Sequence, residues 1–394
     1  MSSAWEFVKR HKGKFIAAGA VVGAAVAAKS AIDADLLGLR DTAAHEVQLS
    51  QARRHFLFDA HQQSCDKALT EAILDIKQVL KSRYPVEQLV ESLKDGTALS
   101  NADKIRIWED IEHKSIARVV STAFAYSLVI VASKTQKSIV CAETCNAIVN
   151  GAKNPAQVDV LTRLSTLVFG GAPQPQQSQT SPLQTDTRVQ QVFINCIQFL
   201  TTSGLNQIFH TIDTIVEEQL VVFPLDKKVT AANIEELFSI VVQQVENLIG
   251  SRNYANFIVP QAGQRTLFDN SNGAKLEELL AKFVQVLELR RCRDIMQGFV
   301  RRFITGAVGF LQIDLPALEQ PMAKCLPAIA DAFTIIARNS HESAFQDCLH
   351  SSELHQFTLI AFTAESIEQT DVTPKPARNA SHVGHRAGDD FALD

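Results

Sequence analysis

The sequence lacks most of what an enzyme displays. No G-x-x-x-x-G-K-[ST], G-x-G-x-x-G, H-E-x-x-H or G-x-S-x-G occurs in its 394 residues, so phosphate cradling, zinc hydrolysis and the nucleophile elbow have no basis here. Cysteine is sparse: Cys65, Cys141, Cys145, Cys196, Cys292, Cys325 and Cys348 are scattered and odd in number, unlike the dense, even framework of a small secreted domain. The single sequon, Asn379-Ala380-Ser381, lies near the C-terminus and gives export no support. Basic charge is also missing from most of the chain. Residues 1 to 33 hold five of the 38 Lys and Arg and two of the 43 Asp and Glu, which leaves 33 basic against 41 acidic side chains, a net charge near −8. A nucleic-acid binder would show a basic stripe instead. Strand signals are scarce, and no internal repeat is present.

The few candidate ligand groups are weak. Cys141 and Cys145 lie one helical turn apart, but zinc needs four ligands and no second pair is close in sequence, so they read as small core residues. Cys348, His350 and His355 form a similarly thin cluster, and His382 with His385 sits where no preorganised geometry is expected. Glu109 and Asp110 are adjacent on a helix and point apart, as solvated face or cap charges do. No catalytic residue, cofactor or metal site is expected.

What the chain does have begins at its N-terminus. Lys9, Arg10, Lys12 and Lys14, preceded by Trp5 and Phe7, lead into a run from Phe15 to Ile32 whose only charge is Lys29. An apolar run of about 18 residues just crosses a hydrocarbon core as a helix, and Lys29 near its end can reach the headgroups. The same letters, with Ala25-Val26-Ala27 as a small-x-small site, also describe a cleavable signal peptide, and a buried Ala-rich helix is the third reading. Gly19 and Gly23 form a G-x-x-x-G that would let two such helices pack in lipid, or is chance in an Ala- and Gly-rich segment. The positive-inside rule would leave the N-terminus in the cytosol and carry the body across the membrane.

The body reads as long helices. Leu39 to Tyr84 contains neither Gly nor Pro, and Pro85 ends it. Phe56, Leu69, Ile73, Ile76 and Leu80 recur at helical spacing and predict one buried face. Asn101 or Asp103 can cap a second helix that continues to Asn150, where Gly151 stops it. Within it, Val119 to Ala132 is uncharged between Arg118 and Lys134, too short to span a bilayer and suited to a bundle centre. Further helices are expected from Val189 to near Pro224, at Ala231 to Ile249, at Ala274 to Phe310, and from about Leu318 to Phe362 with breaks at Pro321 and Pro327. The expected plan is a basic segment (1–14), a transmembrane anchor (15–33), an all-α elongated bundle (34–370) with a mobile loop at 170–187, and a disordered tail (371–394).

What remains is binding. Ile105, Trp108 and Ile111 share a stripe at the start of the second long helix, with Lys104 and Arg106 beside them. Trp108 either anchors the core or, placed at the end of a bundle just after a polar hinge, anchors a partner helix in a groove.

Three stretches together resemble the peroxin 3 family of peroxisomal membrane biogenesis factors. These are Trp5-Glu6-Phe7-Val8-Lys9-Arg10-His11-Lys12, then Gln51-Ala52-Arg53-Arg54-His55-Phe56 with Cys65 downstream, and Ile107-Trp108-Glu109-Asp110 followed by Ser115 and Arg118. They come in the family's order and near its spacing over about the first 120 residues; beyond that the likeness is one of length and helical character. The resemblance implies an all-α cytosolic bundle anchored by its N-terminus in the peroxisomal membrane, with Lys9 to Lys14 facing the lumen. It also implies docking of peroxin 19, the soluble chaperone of newly made peroxisomal membrane proteins, as an amphipathic helix in a groove. Trp108, Lys104 and Leu93 match the family's groove residues, although the hinge Asp95 to Asp103 is longer than the family's. The implied partners are peroxin 19 and membrane lipids, with self-association through Gly19 and Gly23 as a further option and no nucleic acid. From the residues alone, a membrane-tethered helical scaffold or enzyme of another organelle is the alternative.

Overall fold

The computed structural model describes residues 43–95, 100–151, 189–190, 192–194, 197–260 and 273–363. Helix α1 (Ala43–Arg83) ends where Pro85 removes a donor and disfavours helical backbone before it. After α2 (Val86–Asp95), α3 (Asn101–Gly151) runs for 51 residues. Helix α4 (Ile197–Phe199) passes through a π turn, Leu200–Gly204, into α5 (Leu205–Leu220). A Cβ on Gly204 would stand 1.8 Å from the Phe257 carbonyl oxygen, so only glycine admits that backbone approach. There follow β1 (Lys228–Val229), α6 (Ala231–Arg252) and α7 (Ala255–Ile258). The described residues end with α8 (Gly273–Glu288), α9 (Arg290–Asp314), β2 (Gln320–Pro321), α10 (Met322–Ile336), α11 (Ala344–Leu349) and α12 (Ser352–Thr363). The fold is all-α; the two-residue strands pair antiparallel and only tie two connections together.

α3 is the axis. It packs against α1, α2, α5, α6 and every helix from α8 to α12, and each of its residues from Ser115 to Ala142 is buried. The uncharged run Val119 to Ala132 is thus bundle centre. α3 is the described helix long and apolar enough to cross a membrane, but its apolar window lies wholly inside the protein, as in a central bundle helix. α1 and α3 are antiparallel. Tyr84 meets Ser121, the Tyr126 hydroxyl donates to the Ile73 carbonyl, Lys134 pairs with Asp66, and the Gln62 amide donates to Ser138. The end of α1 and the start of α3 therefore share one end of the bundle. α5 points the same way, because Asp213 reaches Arg83 and Tyr84 before the helix ends. α6 and α10 start at that end and α9 finishes there, with Gln312 meeting Glu235.

Several expectations are corrected. Leu69, Ile73, Ile76 and Leu80 are buried but Phe56 is exposed; the inward stripe continues instead through Cys65, Gln62 and Phe58, two residues and over half a turn from Phe56. Ser100, not Asn101 or Asp103, caps α3: its Oγ accepts from the Asp103 amide and donates to the Asp103 carboxylate. The helix expected from Ala274 to Phe310 is divided at Leu289, which is extended at ψ 138 although no Gly or Pro is present. Pro327 does not break the last segment. It lies inside α10, and the chain leaves the helix only after Ile336. Cys65, Cys141, Cys145, Cys292, Cys325 and Cys348 are buried free thiols, and Cys141 with Cys145 packs among Leu57, Phe58 and Phe362 as core. His350 and His355 are exposed while Cys348 is buried. Among the described residues no three His, Cys, Asp or Glu side chains gather as a metal site. Lys9, Arg10, Lys12, Lys14, Phe15, Gly19, Gly23 and Lys29, the loop 170–187, Cys196 and the segment from 371 onward, with His382 and His385, lie outside the described residues.

Candidate partner-binding site

The hinge end of the bundle is built from α2 laid beside the first turns of α3. α2 buries only Val86; Leu89, Val90 and Leu93 are half-buried and rest on the main core from its edge. Their spacing gives α2 one apolar face, with Gln88 and Glu91 turned to water. On α3 the stripe climbs out of the core by steps. Ile111 is buried, Trp108 and Ile107 are half-buried against the core, and Ile105 is 55% exposed. Lys104 is half-buried one turn before Trp108. Trp108 is thus half-buried, with part of the indole packed on the core and part left open. Leu93 and Trp108 pack on the same core from the two helices, and residues 96–99, which connect these helices, lie outside the described residues.

Polar contacts fix this arrangement. Arg118 of α3 is buried, donates to both oxygens of Glu87 on α2 at 2.8 and 2.9 Å and to the Ala330 carbonyl at 3.3 Å, and lies 4.3 Å from the centre of the Phe333 ring. Partial burial pushes the Glu87 carboxyl up, but the hydrogen bond from its own backbone amide and the Arg118 guanidinium beside it outweigh that and hold it below its usual range. On the other flank, Asp213 of α5 accepts from Arg83 at 2.7 Å and from the Tyr84 hydroxyl at 2.8 Å, while His113 meets its carbonyl at 3.0 Å. Burial and the neighbouring Asp213 push the Tyr84 phenol up, so it stays a neutral donor. Glu112, one turn beyond Trp108, is 3% exposed. Burial and Glu109 push its carboxyl up to about 8, and its Oε1 has no hydrogen-bond partner among the described residues.

The stripe of Ile105, Trp108 and Ile111 was readable from the sequence, whereas Glu87, Tyr84 and Asp213 carried no local signal. Arg118 did: a charge bordering an apolar helical run needs a buried partner, yet it read as a flank. The arrangement offers no acid–base pair or nucleophile. It offers an apolar ledge edged by Lys104, suited to packing and charge contacts with a helix. An open depression of about 440 Å³, lined by Arg302, His341, Gln346, Asp347 and His350, involves other residues on α9 and around α11.

Residues 94–302, more than half of the chain and spanning Lys104, Trp108, Arg118 and Asp213, match the Peroxin-3 family model. Peroxisomal biogenesis factor 3 of Rattus norvegicus and of Homo sapiens are each 26% identical to it over 140 residues, covering 36% of this chain and 36% of theirs. The same factor of Bos taurus is 28% identical over 138 residues, 35% of this chain and 36% of its own. The matched stretch thus spans about a third of the length of these curated relatives, which are named as biogenesis factors and not as enzymes. The chain belongs to the Peroxin-3 family.

Proposed function

We propose that this chain acts in peroxisome biogenesis as a membrane-held docking receptor, taking peroxin 19 at the α2–α3 ledge for insertion of peroxisomal membrane proteins. The observation that carries the reading is Trp108: half-buried against the core and flanked by Lys104, it lies inside the family match at the end of the bundle. An amphipathic helix laid across Leu89, Leu93, Ile105 and Trp108 would cover apolar surface that the chain leaves open. No covalent step is required, and the chain is not an enzyme.

Residues 15–33 anchor the chain in the peroxisomal membrane by a single pass, Lys9 to Lys14 lie on the lumenal side, and the bundle lies in the cytosol. The direction of α1 supports this reading. Its first residue, Ala43, lies at the opposite end of the bundle from α2, so an anchor preceding it would hold the ledge away from the bilayer. Imaging a tagged full chain against organelle markers tests the location, and protease added to intact organelles tests the orientation. Peroxisomal signal with digestion of the body is expected; a mitochondrial location, or a protected body, would overturn the reading.

A further inference from the structure

The α2–α3 ledge holds a hydrogen-bond acceptor that no described residue satisfies. Glu112 follows Trp108 by four residues and Lys104 precedes it by four, so the three side chains stand on one face of α3. A helical side chain leans over the turn before its own Cα, which carries the Glu112 carboxyl back toward the turn of Trp108 and Glu109. The charge of Glu109 acts on it there. The carboxyl is buried, and its Oε1 has no partner among the described residues. One turn further on, the Ser115 hydroxyl is buried and unpartnered as well. Thr122, Ser127 and Ser138 of the same helix each donate instead to the carbonyl four residues back.

Charges on the neighbouring elements are engaged with one another: Glu87 of α2 with Arg118, and Asp213 of α5 with Arg83. No charged group of α2, α5, α6 or α10 bears on Glu112, and Glu109 is exposed beside it. A buried carboxyl of this kind has two stable forms, protonated or paired with a cation. Burial and Glu109 keep it in the first, by holding it up at about 8. Along α3 the ledge therefore runs cation, indole, carboxyl over about 12 Å. An occupant covering the indole deepens the burial of the carboxyl and raises the cost of leaving it without a partner. The second negative charge, on Glu109, favours a cation over a hydroxyl or an amide in that place.

Resting on the reading of the ledge as the peroxin 19 site, we propose that Glu112 is a specificity-determining residue, accepting from a lysine or arginine that the partner helix carries beside the apolar side chain seated on Trp108. Pairing ionises the carboxyl, and its proton passes to solvent. A partner with an apolar or acidic side chain there leaves the carboxyl protonated and binds more weakly.

The test is isothermal titration of the full chain in nanodiscs with the N-terminal peptide of peroxin 19, each lysine and arginine of the peptide being replaced in turn by norleucine. One replacement is expected to weaken binding to the wild type about tenfold or more and to change binding to Glu112→Gln little. Titrations of the wild type at pH 7 in buffers of different ionisation enthalpy should show release of about one proton per complex, a release that Glu112→Gln loses. The proton count of the wild type needs no variant to fold. Binding that Trp108→Ala weakens, but with no replacement coupled to Glu112, or with no proton released, overturns the inference and leaves the receptor reading standing. Absence of peptide binding to the wild type overturns both.

Discussion

Arg118 reaches from the buried face of α3 to both carboxylate oxygens of Glu87, at 2.8 and 2.9 Å, so that a single cation joins α2, α3 and, through Phe333, α10. Glu87 is more than half exposed, with 59% of its side chain in water, whereas Arg118 is 1% exposed. The pair is therefore asymmetric: solvent can replace part of what Glu87 gives, but nothing replaces Arg118.

Glu87→Gln should cost about 1 kcal/mol in a half-solvated pair, and Arg118→Ala about 3 kcal/mol, because it empties a buried site. Hydrogen exchange separates the two effects. Faster exchange confined to residues 86–95 in Glu87→Gln is the expected result, and unchanged α2 protection would show that the pair does not hold the ledge.

Glu112 makes stability fall as pH rises. Its carboxyl ordinarily titrates near 4.5 and is held up at about 8 in the folded protein, so the neutral form is the one the fold favours. The stabilisation linked to that proton is complete below about pH 4.5 and is lost as pH rises through about 8. Glu112→Gln should match wild type in denaturant unfolding at about pH 4 and exceed it by more than about 1 kcal/mol at about pH 8.5. His61 is held down at about 4 by burial and acts in the opposite direction. The difference between the two proteins isolates Glu112, and a difference that does not grow with pH would contradict its buried, neutral state.

Gly204→Ala should destabilise by about 3 kcal/mol or more, since its Cβ would enter the Phe257 carbonyl. Gly298→Ala and Gly309→Ala, inside α9 with open space at the Cβ, should instead stabilise by roughly 0.5–1 kcal/mol each. Thermal unfolding of the three variants decides it; equal effects would mean that the approach at Gly204 is not close.

The α-helical plan was legible because its strongest signals are local. Pro85 marks the end of α1, and the uncharged run from Val119 to Ala132, too short to span a bilayer, read as bundle centre. Phe56 was misplaced because a stripe drawn through hydrophobic letters alone took it in place of Phe58, and skipped the inward-facing Gln62. The break at Leu289 left no trace, as it has neither Gly nor Pro and depends on how α8 and α9 pack. At the candidate site, Trp108 and Ile105 were visible as a stripe opening a helix, but the placement of α2 was not. It rests on the Arg118–Glu87 pair, 31 positions apart, and on Asp213 holding Arg83 and Tyr84 just before α2 from 130 and 129 positions away.

The receptor reading stands or falls on Trp108. Isothermal titration of the full chain in nanodiscs with a peptide from the N-terminus of peroxin 19 should show saturable binding. Trp108→Ala should weaken it by about 2 kcal/mol, roughly thirtyfold, and Leu93→Ala and Lys104→Ala by smaller amounts, with folding intact in all three. Affinity unchanged in Trp108→Ala would contradict the account and return the indole to the core alone.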